Sequence, residues 1–272
     1  MTADEREEAP HREVLRGGVA YAGAVVRIGD EVTRPANTHS ATIHRFLRHV
    51  RSIGFLGASE PLAIEGDRER LAFVAGDVPV PPYPAWAQTD AALASIVRLV
   101  RGLHDASAGF DVDHGSWSDE LSDLAPGRHP VICHNDVCLE NVVFRDGEAV
   151  ALLDFDYAAP GRAAFDLAAL ARMCLPVDDD VNAPRFGWTP TDRPARLRLV
   201  ADAYGLDPAG RSDLVACLDE SIERGGEFVL RHVEAGEPGF VEMWNSMGGM
   251  ERFDRRRRWW AAARHAFVDS LE

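Results

Sequence analysis

The chain has 272 residues, of which 46% are hydrophobic and 27% are charged. This composition excludes a mostly disordered chain, a collagen-like repeat and a small disulfide-stabilised scaffold. The formal net charge of −15 disfavours nucleic acid as a partner, because the chain would repel phosphates, and it mildly favours cationic small molecules. All 29 basic residues are arginines, so a mechanism that needs a lysine amine is excluded.

Residues 1–10 are acidic and polar and lack the apolar core of a signal peptide. No apolar run in the sequence is long enough to span a membrane, and the four cysteines form no CxxC pair. These features predict a cytoplasmic, reduced protein with no membrane partner, in which the cysteines are small core residues. The sequence leaves the oligomeric state open.

The first part of the chain is predicted to be rich in β structure. Apolar runs bounded by turn residues predict strands at 13–16, 24–28, 31–34, 62–64 and 71–74. Gly29 and Asp30 are typical of a hairpin turn, and the charged segment 65–70 is predicted to be a second turn. Apolar residues at helical spacing predict a helix over 40–53, with Ser40 as its N-cap.

Four prolines between Asp77 and Trp86 predict a stiff linker. The sequence therefore divides into an N-terminal lobe (1–76), a linker (77–88) and a larger C-terminal lobe (89–272). A ligand site between two such lobes is a common arrangement.

The C-terminal lobe is predicted to be mainly helical with one embedded hairpin. A helix is predicted from Thr89 or Asp90 to His104, followed by a loop with a short helix over 105–128. Strands are predicted at 131–133, 141–144 and 149–153, the last two joined by an Asp-Gly turn. After residue 164 the pattern is helical, apart from the segment 176–194.

Polar residues are densest around this hairpin. Because a hairpin brings its two ends together, Asn141 and Asp154 should lie side by side. Two oxygen-bearing side chains at the mouth of a cleft suit Mg²⁺. Asp136, five residues before Asn141, would then lie nearby and could accept a proton from a hydroxyl. Phosphoryl transfer needs such metal ligands and such a carboxylate.

The segment resembles the catalytic segment of the aminoglycoside phosphotransferase family, which shares the protein-kinase-like fold. The family pattern reads His-Gly-Asp, four residues, Asn, and then a strand that ends in Asp. Further matches are the Leu-His that ends the preceding helix and an Asp-Leu-Ala in the following one. The positions that carry the resemblance are Leu103, His104, His134, Asp136, Asn141, Asp154, Asp166, Leu167 and Ala168.

The resemblance implies an α+β, bilobal protein-kinase-like fold, with a small β-rich N-lobe and a larger, mainly helical C-lobe. It also implies a phosphotransferase with an alcohol group as acceptor, which uses ATP or GTP with Mg²⁺ and acts on a small molecule. The net charge favours a cationic antibiotic as that molecule.

The resemblance further implies a role for each matching residue. Asp136 would be the catalytic base, Asn141 and Asp154 would bind Mg²⁺, His134 would brace the loop, and Asp166 would be a buried structural acid. The nucleotide would contact Gly17 and Gly18 over its phosphates and Phe73, Val74 and Ala75 at its adenine. Asp156, Asp178, Asp179 and Asp180 are candidates for acceptor binding, with a turn or a solvated acidic loop as the alternative.

The chain departs from the family pattern at three places. Kinases of this fold hold the nucleotide phosphates with a lysine on the third strand, paired to a glutamate on the next helix. Arg34, at the end of the third predicted strand, is the best substitute here, and the predicted helix carries His44 in place of an acid. Asn135 replaces the usual glycine and should be tolerated if its backbone angles are ordinary.

These departures support a second hypothesis, a pseudokinase-like module that binds a nucleotide or ligand for a partner enzyme without transferring phosphate. A kinase that acts on proteins has little support, because Asp154 is followed within twelve residues by Asp166 and leaves no room for a long activation segment. The run Arg255–Arg258 is predicted to be a solvated helix face, with the following tryptophans packed inward.

Overall fold

A computed structural model describes residues 12–15, 23–127 and 130–272. Its N-terminal part contains a five-stranded antiparallel sheet. The strands are β1 (Arg12–Val14), β2 (Val26–Ile28), β3 (Glu31–Pro35), β4 (Pro61–Glu65) and β5 (Arg68–Ala72), in the spatial order β1-β2-β3-β5-β4. Helix α1 (Ser40–Ser52) lies between β3 and β4 and packs on β4. The predicted Gly17 and Gly18 lie outside the described residues.

The predicted hairpin at Gly29 and Asp30 is confirmed, since Ile28 and Glu31 are paired across it. Two local predictions are wrong. The turn predicted over 65–70 is confined to Gly66 and Asp67, because β4 ends at Glu65 and β5 begins at Arg68. Ser40 is the first residue of α1 rather than its N-cap, and its hydroxyl instead accepts a hydrogen bond from the backbone N–H of Asn37.

The linker connects the sheet to the rest of the chain by backbone pairing. Asp77 and Phe144 exchange two backbone hydrogen bonds of 2.8 Å. Gly76, which precedes them, has a φ of 151°, and a Cβ there would lie 2.5 Å from the carbonyl oxygen of Phe144. Only glycine allows this close approach of the linker to the hairpin.

The remainder is mainly helical, as predicted. Its helices are α2 (Asp90–Ala106), α3 (Ala163–Cys174), α4 (Arg193–Tyr204), α5 (Pro208–Glu234), α6 (Pro238–Met247) and α7 (Gly249–Leu271). Two small antiparallel pairs are embedded among them: β6 (Val131–Cys133) with β9 (Ala159–Gly161), and β7 (Val142–Arg145) with β8 (Glu148–Leu152). The described residues 107–127 contain no helix, so the short helix expected there is not formed.

One hydrophobic core joins α1 to the helical part. The predicted apolar stripe of α2 is fully buried in it: Leu93, Ile96, Val97, Val100 and Leu103. Thr89 caps this helix by accepting the backbone N–H of Ala92. The four cysteines are buried and unpaired, as expected of small core residues. Within the described ranges, no helix combines the length and the apolar character that a bilayer crossing needs.

The C-terminal arginine run is not simply a solvated face. Arg255 forms a 3.0 Å ion pair with Asp179, and Arg256 lines a cavity. Trp260 is buried as predicted, and its indole N–H donates to Asp219. A helix with positive charges around its circumference must present some of them to whatever it packs on, and here that surface includes acidic residues.

Candidate active site between the sheet and the helices

A cavity of about 1370 Å³ lies between the sheet and the helices. Side chains from both sides form its walls, and most of the predicted site residues are among them: Arg34, Phe73, Val74, Asp136, Asn141, Asp154, Asp156 and Asp178. Five other predicted residues lie behind or beside these walls, namely Ala75, His134, Asp166, Asp179 and Asp180. The tertiary structure therefore brings together residues that are separated by as much as 144 positions, from 34 to 178.

Asp166, at the start of α3, holds the loop after β6 through its backbone. Its carboxylate accepts hydrogen bonds from the backbone N–H groups of His134 (2.9 Å) and Asn135 (2.7 Å) and from the His104 ring (2.8 Å). Burial raises the pKa of Asp166, but the His104 hydrogen bond and charge outweigh it, so the net pKa is lowered. The buried charge is thus satisfied by the loop that it positions.

His134 connects this loop to the end of β8. Its Nε2 lies 2.8 Å from the carbonyl oxygen of Leu153, and its Nδ1 lies 3.3 Å from the backbone N–H of Asp136. Since a carbonyl can only accept and a backbone N–H can only donate, these partners assign a neutral ring protonated at Nε2. Burial lowers the pKa of His134, in agreement with the neutral form.

The sequence predicts that Asn135 is tolerated in place of glycine if its backbone angles are ordinary, but they are not. Its φ is 64°, in the left-handed region. Asparagine enters that region more readily than most residues, so it can stand where the family has glycine. The Asn135 side chain also donates a 2.8 Å hydrogen bond to the carbonyl of Tyr157, which ties this loop to the segment after β8.

Asp136 and Asn141 form a hydrogen-bonded pair on the cavity wall. The Asn141 amide nitrogen donates to the Asp136 carbonyl (2.9 Å) and to its carboxylate (3.0 Å). Burial, with the nearby charge of Asp154, raises the pKa of Asp136 to about 7, although Arg172 and Asn141 oppose the rise. A carboxyl group of that pKa is suited to exchange a proton near neutral pH.

Arg34 lies at the junction of three carboxylates. Its Nη1 donates to Asp154 (2.7 Å), its Nη2 to Asp156 (2.5 Å) and its Nε to Glu69 (2.6 Å). Burial, reinforced by Asp154, raises the pKa of Asp156 in spite of Arg34. Asp154 has a φ of 62° and a side chain that is 26% exposed, so one carboxylate is presented at the cavity surface.

Glu69 is a site residue that the sequence analysis missed. It lies directly opposite Arg34 across the β3–β5 pair and is 1% exposed. Its second oxygen lies 2.9 Å from Nε2 of His44 on α1, so the acid is on the sheet and the ring is on the helix. Burial raises the pKa of Glu69, but His44 and Arg34 outweigh it and the net pKa is lowered.

A signal for Glu69 was present in the sequence. Residues that alternate along a strand share a face, so Glu69 shares its face with Leu71, another cavity residue. The charged neighbours Arg68 and Arg70 conceal this pattern and suggest a turn. The strand identity was decided by the pairing with β3, which is a tertiary contact.

The segment after β5 edges the cavity on the sheet side. Phe73 donates its backbone N–H to the carbonyl of Asp30, and the Arg27 guanidinium stacks 3.7 Å from its ring centroid. Ala75 offers its carbonyl to Nε of Arg145, at 2.8 Å. Phe73 and Val74 line the cavity, whereas Ala75 connects the segment to the hairpin.

The three consecutive aspartates do not act as one acidic wall. Asp178 lines the cavity and pairs with Arg252 at 2.6 Å. Asp179 is buried, where it bonds to Asn182 and pairs with Arg255. Asp180 points to Arg193 at the start of α4.

The chemistry of these donors fits a magnesium ion. The amide nitrogen of Asn141 is committed to Asp136, which leaves the amide oxygen as an acceptor. Asp154 adds a partly exposed carboxylate from the other end of the hairpin. Such a set of oxygens is what a hard cation prefers, in a site completed by phosphates and water.

A sequence model of the phosphotransferase enzyme family matches residues 108–214. The chain is similar to the trifolitoxin immunity protein of Rhizobium leguminosarum bv. trifolii, with 35% identity over 197 residues, covering 70% of this chain and 74% of that protein.

Two of the solved structures that resemble this chain cover most of its length. A choline/ethanolamine kinase family protein from Mesorhizobium loti has a TM-score of 0.64 and 16% identity, over 98% of this chain and 94% of that chain. The streptomycin–ATP–APH(2")-IIa ternary complex has a TM-score of 0.54 and 12% identity, over 89% of this chain and 93% of that chain. These likenesses confirm the predicted protein-kinase-like fold.

Proposed function

Because this chain belongs to the phosphotransferase enzyme family, we propose that it transfers the terminal phosphoryl group of Mg²⁺-bound ATP to a hydroxyl of a small molecule. The observation that carries the proposal is the convergence of Asp136, Asn141 and Asp154 on one cavity wall, with oxygen donors that fit Mg²⁺. ATP is favoured over GTP because a structural neighbour is a ternary complex with ATP. Since the reaction consumes ATP, we place it in the cytoplasm.

The proposed division of the chain remains 1–76 for nucleotide binding, 77–88 as the linker, and 89–272 for catalysis and acceptor binding. Phe73 and Val74 would face the adenine, because they line the cavity where β5 leads into the linker. Gly17 and Gly18 stay predicted phosphate contacts.

Asn141 and Asp154 would hold the magnesium ion, which when bound neutralises charge on the nucleotide phosphates. Asp136 would accept a hydrogen bond from the acceptor hydroxyl and orient its oxygen for attack. His134 and Asp166 support this position without touching a substrate, since they accept hydrogen bonds from the backbone N–H groups of Asp136 and Asn135. Two backbone N–H groups and a neutral ring thus position the reacting carboxylate.

Arg34 would take the place of the lysine found in kinases of this fold. A guanidinium binds phosphate through two parallel hydrogen bonds, so it can make the contact with a different geometry. Glu69 and His44 would orient it, because Glu69 bonds to both. The orienting acid has therefore moved from the helix to the neighbouring strand.

The acceptor would be a toxic compound. The relative is named for immunity to trifolitoxin, and a structural neighbour is named for a complex with streptomycin. Phosphorylation adds negative charge and bulk, and either change can abolish recognition of a toxin by its target.

Calorimetry with ATP tests the nucleotide part of the proposal. We expect the wild type to bind ATP only with Mg²⁺. We expect Mg²⁺ not to increase the affinity of Asp154→Asn for ATP. Asp146→Asn is a matched control, because Asp146 also has a positive φ (51°) but lies exposed at the β7–β8 turn. Equal loss in both variants, or binding that ignores Mg²⁺, would contradict the assignment.

The second candidate function is a binding module without transfer. It is favoured by the ion pairs that already connect Arg34 to Asp154 and Asp156, because these pairs use groups that would serve the nucleotide. Release of ADP in the presence of an acceptor panel separates the two functions. Tight Mg²⁺-dependent ATP binding with no ADP release from any acceptor would favour the module.

A further inference from the structure

The cavity has a second region, next to Asp136, that is rich in arginine. Arg172 of α3 and Arg252 and Arg256 of α7 all line it. Arg172 is near enough to Asp136 for its positive charge to oppose the rise in the pKa of that carboxyl. These three side chains come from helices far apart in sequence, so their meeting is a tertiary feature.

Ion pairs within the described ranges do not engage all three of these arginines. Arg252 pairs with Asp178 at 2.6 Å, whereas Arg172 and Arg256 form no ion pair with any residue of the described ranges. The contact of Arg172 is a 3.3 Å hydrogen bond from its Nε to the hydroxyl of Ser221. The Nε atoms of Arg252 and Arg256 are buried and have no hydrogen-bond partner among the described residues.

The arrangement is unfavourable to the folded protein as it stands. Burial, together with the charges of Arg172 and Arg252, lowers the pKa of Arg256 to about 10 against the opposing effect of Asp178 and Asp179. Like charges at close range destabilise a fold unless an opposite charge compensates them. Groups retained at such a cost are typical of functional sites.

The backbone makes room for one of these guanidinium groups. Gly225 is in the middle of α5, where glycine is less favourable than alanine. A Cβ at this position would lie 2.9 Å from Cζ and from Nη1 of Arg172. The absence of a side chain therefore lets the Arg172 guanidinium lie against α5 at the edge of the cavity.

Apolar side chains form the rest of this region. They project from α5 and α6 and comprise Phe228, Val229, Phe240, Met243 and Met247. Met side chains adapt to irregular ligand shapes, and aromatic walls suit a hydrophobic body. A ligand that contacts both the arginines and these apolar side chains must combine a negatively charged group with an apolar body.

We propose that the acceptor is an amphipathic molecule with an oxyanion, a carboxylate or a phosphate, held by Arg172, Arg252 and Arg256, and with an apolar body on α5 and α6. The identity of this ligand as the acceptor rests on the proposed function, whereas its binding does not. This replaces the cationic acceptor favoured by the net charge of −15. Charges further away than about 10 Å are screened by salt, so the cavity walls decide the ligand.

Binding is tested with three probes of one length that differ in charge: 12-hydroxydodecanoate, 1,12-dodecanediol and 12-amino-1-dodecanol. A fourth probe, 12-hydroxydodecylphosphonate, distinguishes a phosphate-like group from a carboxylate. We expect either anion to bind the full-length protein more tightly than the diol, and the amine to bind most weakly. Equal binding of anion and diol, preference for the amine, or binding of none of the four would overturn the proposal.

Arg256→Gln and Arg258→Gln form the matched pair of variants. Both remove one positive charge from α7, but Arg258 is exposed and lies outside the cavity wall. Loss of a charge-assisted contact should weaken the binding of the preferred anion about ten- to a hundredfold in Arg256→Gln, whereas Arg258→Gln should bind this anion as the wild type does. A similar effect of both variants would show that the long-range field attracts the anion, against the proposal.

Thermal stability provides a second readout. If the arginines are retained for a ligand, Arg256→Gln should raise the Tm of the free protein and weaken its binding of the anion. A merely structural arginine predicts the opposite, a lower Tm with unchanged binding, and that outcome would overturn the proposal. Failure of ATP binding leaves the anion result readable, because the probes are titrated without nucleotide.

Discussion

Replacement of Arg34 by methionine removes the cation that joins the sheet to the loop after β8. The guanidinium has buried hydrogen bonds to Glu69, Asp154 and Asp156, at 2.6, 2.7 and 2.5 Å. In Arg34→Met these carboxylates repel one another with no positive charge between them. Removal of one partner from a buried ion pair typically lowers the free energy of unfolding by about 3–5 kcal/mol.

The lower end of that range is expected here. The Asp154 side chain is 26% exposed, so water screens part of the repulsion, and Asp156 can take up a proton because burial raises its pKa. A loss of about 3 kcal/mol corresponds to a fall in Tm of roughly 6–12 °C for a chain of this size. Methionine keeps most of the apolar stem, so the effect reports charge rather than packing.

The loss should also depend on pH. Without Arg34 the folded variant binds protons more tightly than its unfolded chain, because its carboxylates have raised pKa values. Stability therefore falls as the pH rises, and the deficit relative to the wild type should be larger at pH 8 than at pH 5. Urea unfolding followed by circular dichroism at both pH values measures this difference.

Arg70→Met is the control for Arg34→Met. Arg70 is on the same sheet and pairs with Glu31 and Glu65, each at 3.1 Å, but all three side chains are 39% exposed or more. Such pairs contribute about 0–1 kcal/mol. The reasoning would be refuted by equal losses in the two variants, or by an Arg34→Met deficit that does not shrink at pH 5.

Three further predictions concern the loop that carries Asp136. Asp136→Asn should lower the rate of ADP release in the presence of an acceptor about 10²–10⁴-fold and leave Mg·ATP affinity unchanged, and turnover close to the wild-type rate would refute its role. Asn135→Gly should change the free energy of unfolding by at most about 1 kcal/mol. Asn135→Ala should lower it by roughly 2 kcal/mol, because the variant loses the hydrogen bond to Tyr157 and places alanine at a left-handed φ of 64°. Urea unfolding measures both values, and a larger loss in Asn135→Gly than in Asn135→Ala would contradict this prediction. The pKa of Asp166 is lowered on folding, so its stabilisation is present above the ordinary aspartate pKa of about 3.9 and is lost as the pH falls towards the folded value. Asp166→Asn should therefore be less stable than the wild type at pH 7 and should lose less free energy of unfolding on acidification. Parallel plots of stability against pH for the two proteins would count against this prediction.

The elements that the sequence predicted well are those with short-range signals. The Gly29–Asp30 hairpin, the α2 stripe and the Asp146–Gly147 hairpin all depend on residues within a few positions of one another. The spacing from His134 to Asp154 likewise predicted that Asn141 and Asp154 would face one cavity, because the hairpin between them brings its two ends together.

Local signals failed where a distant partner changes the meaning of a residue. Asn135 gave no local sign of its left-handed backbone, since that conformation depends on Asp166 and Tyr157. The roles assigned to individual site residues therefore stay predictions until the variants are measured.

By itself, the sequence determined the order of elements and the polar loop around Asp136, since hydrophobic periodicity and turn chemistry act between neighbours in the chain. Only the tertiary structure decided which charges meet. Glu69 reaches both Arg34 and His44 across a strand pair and a helix, and Arg172 of α3 and Arg256 of α7 line one cavity. Such contacts depend on the pairing and packing of elements distant in sequence, and no fixed spacing along the chain encodes them.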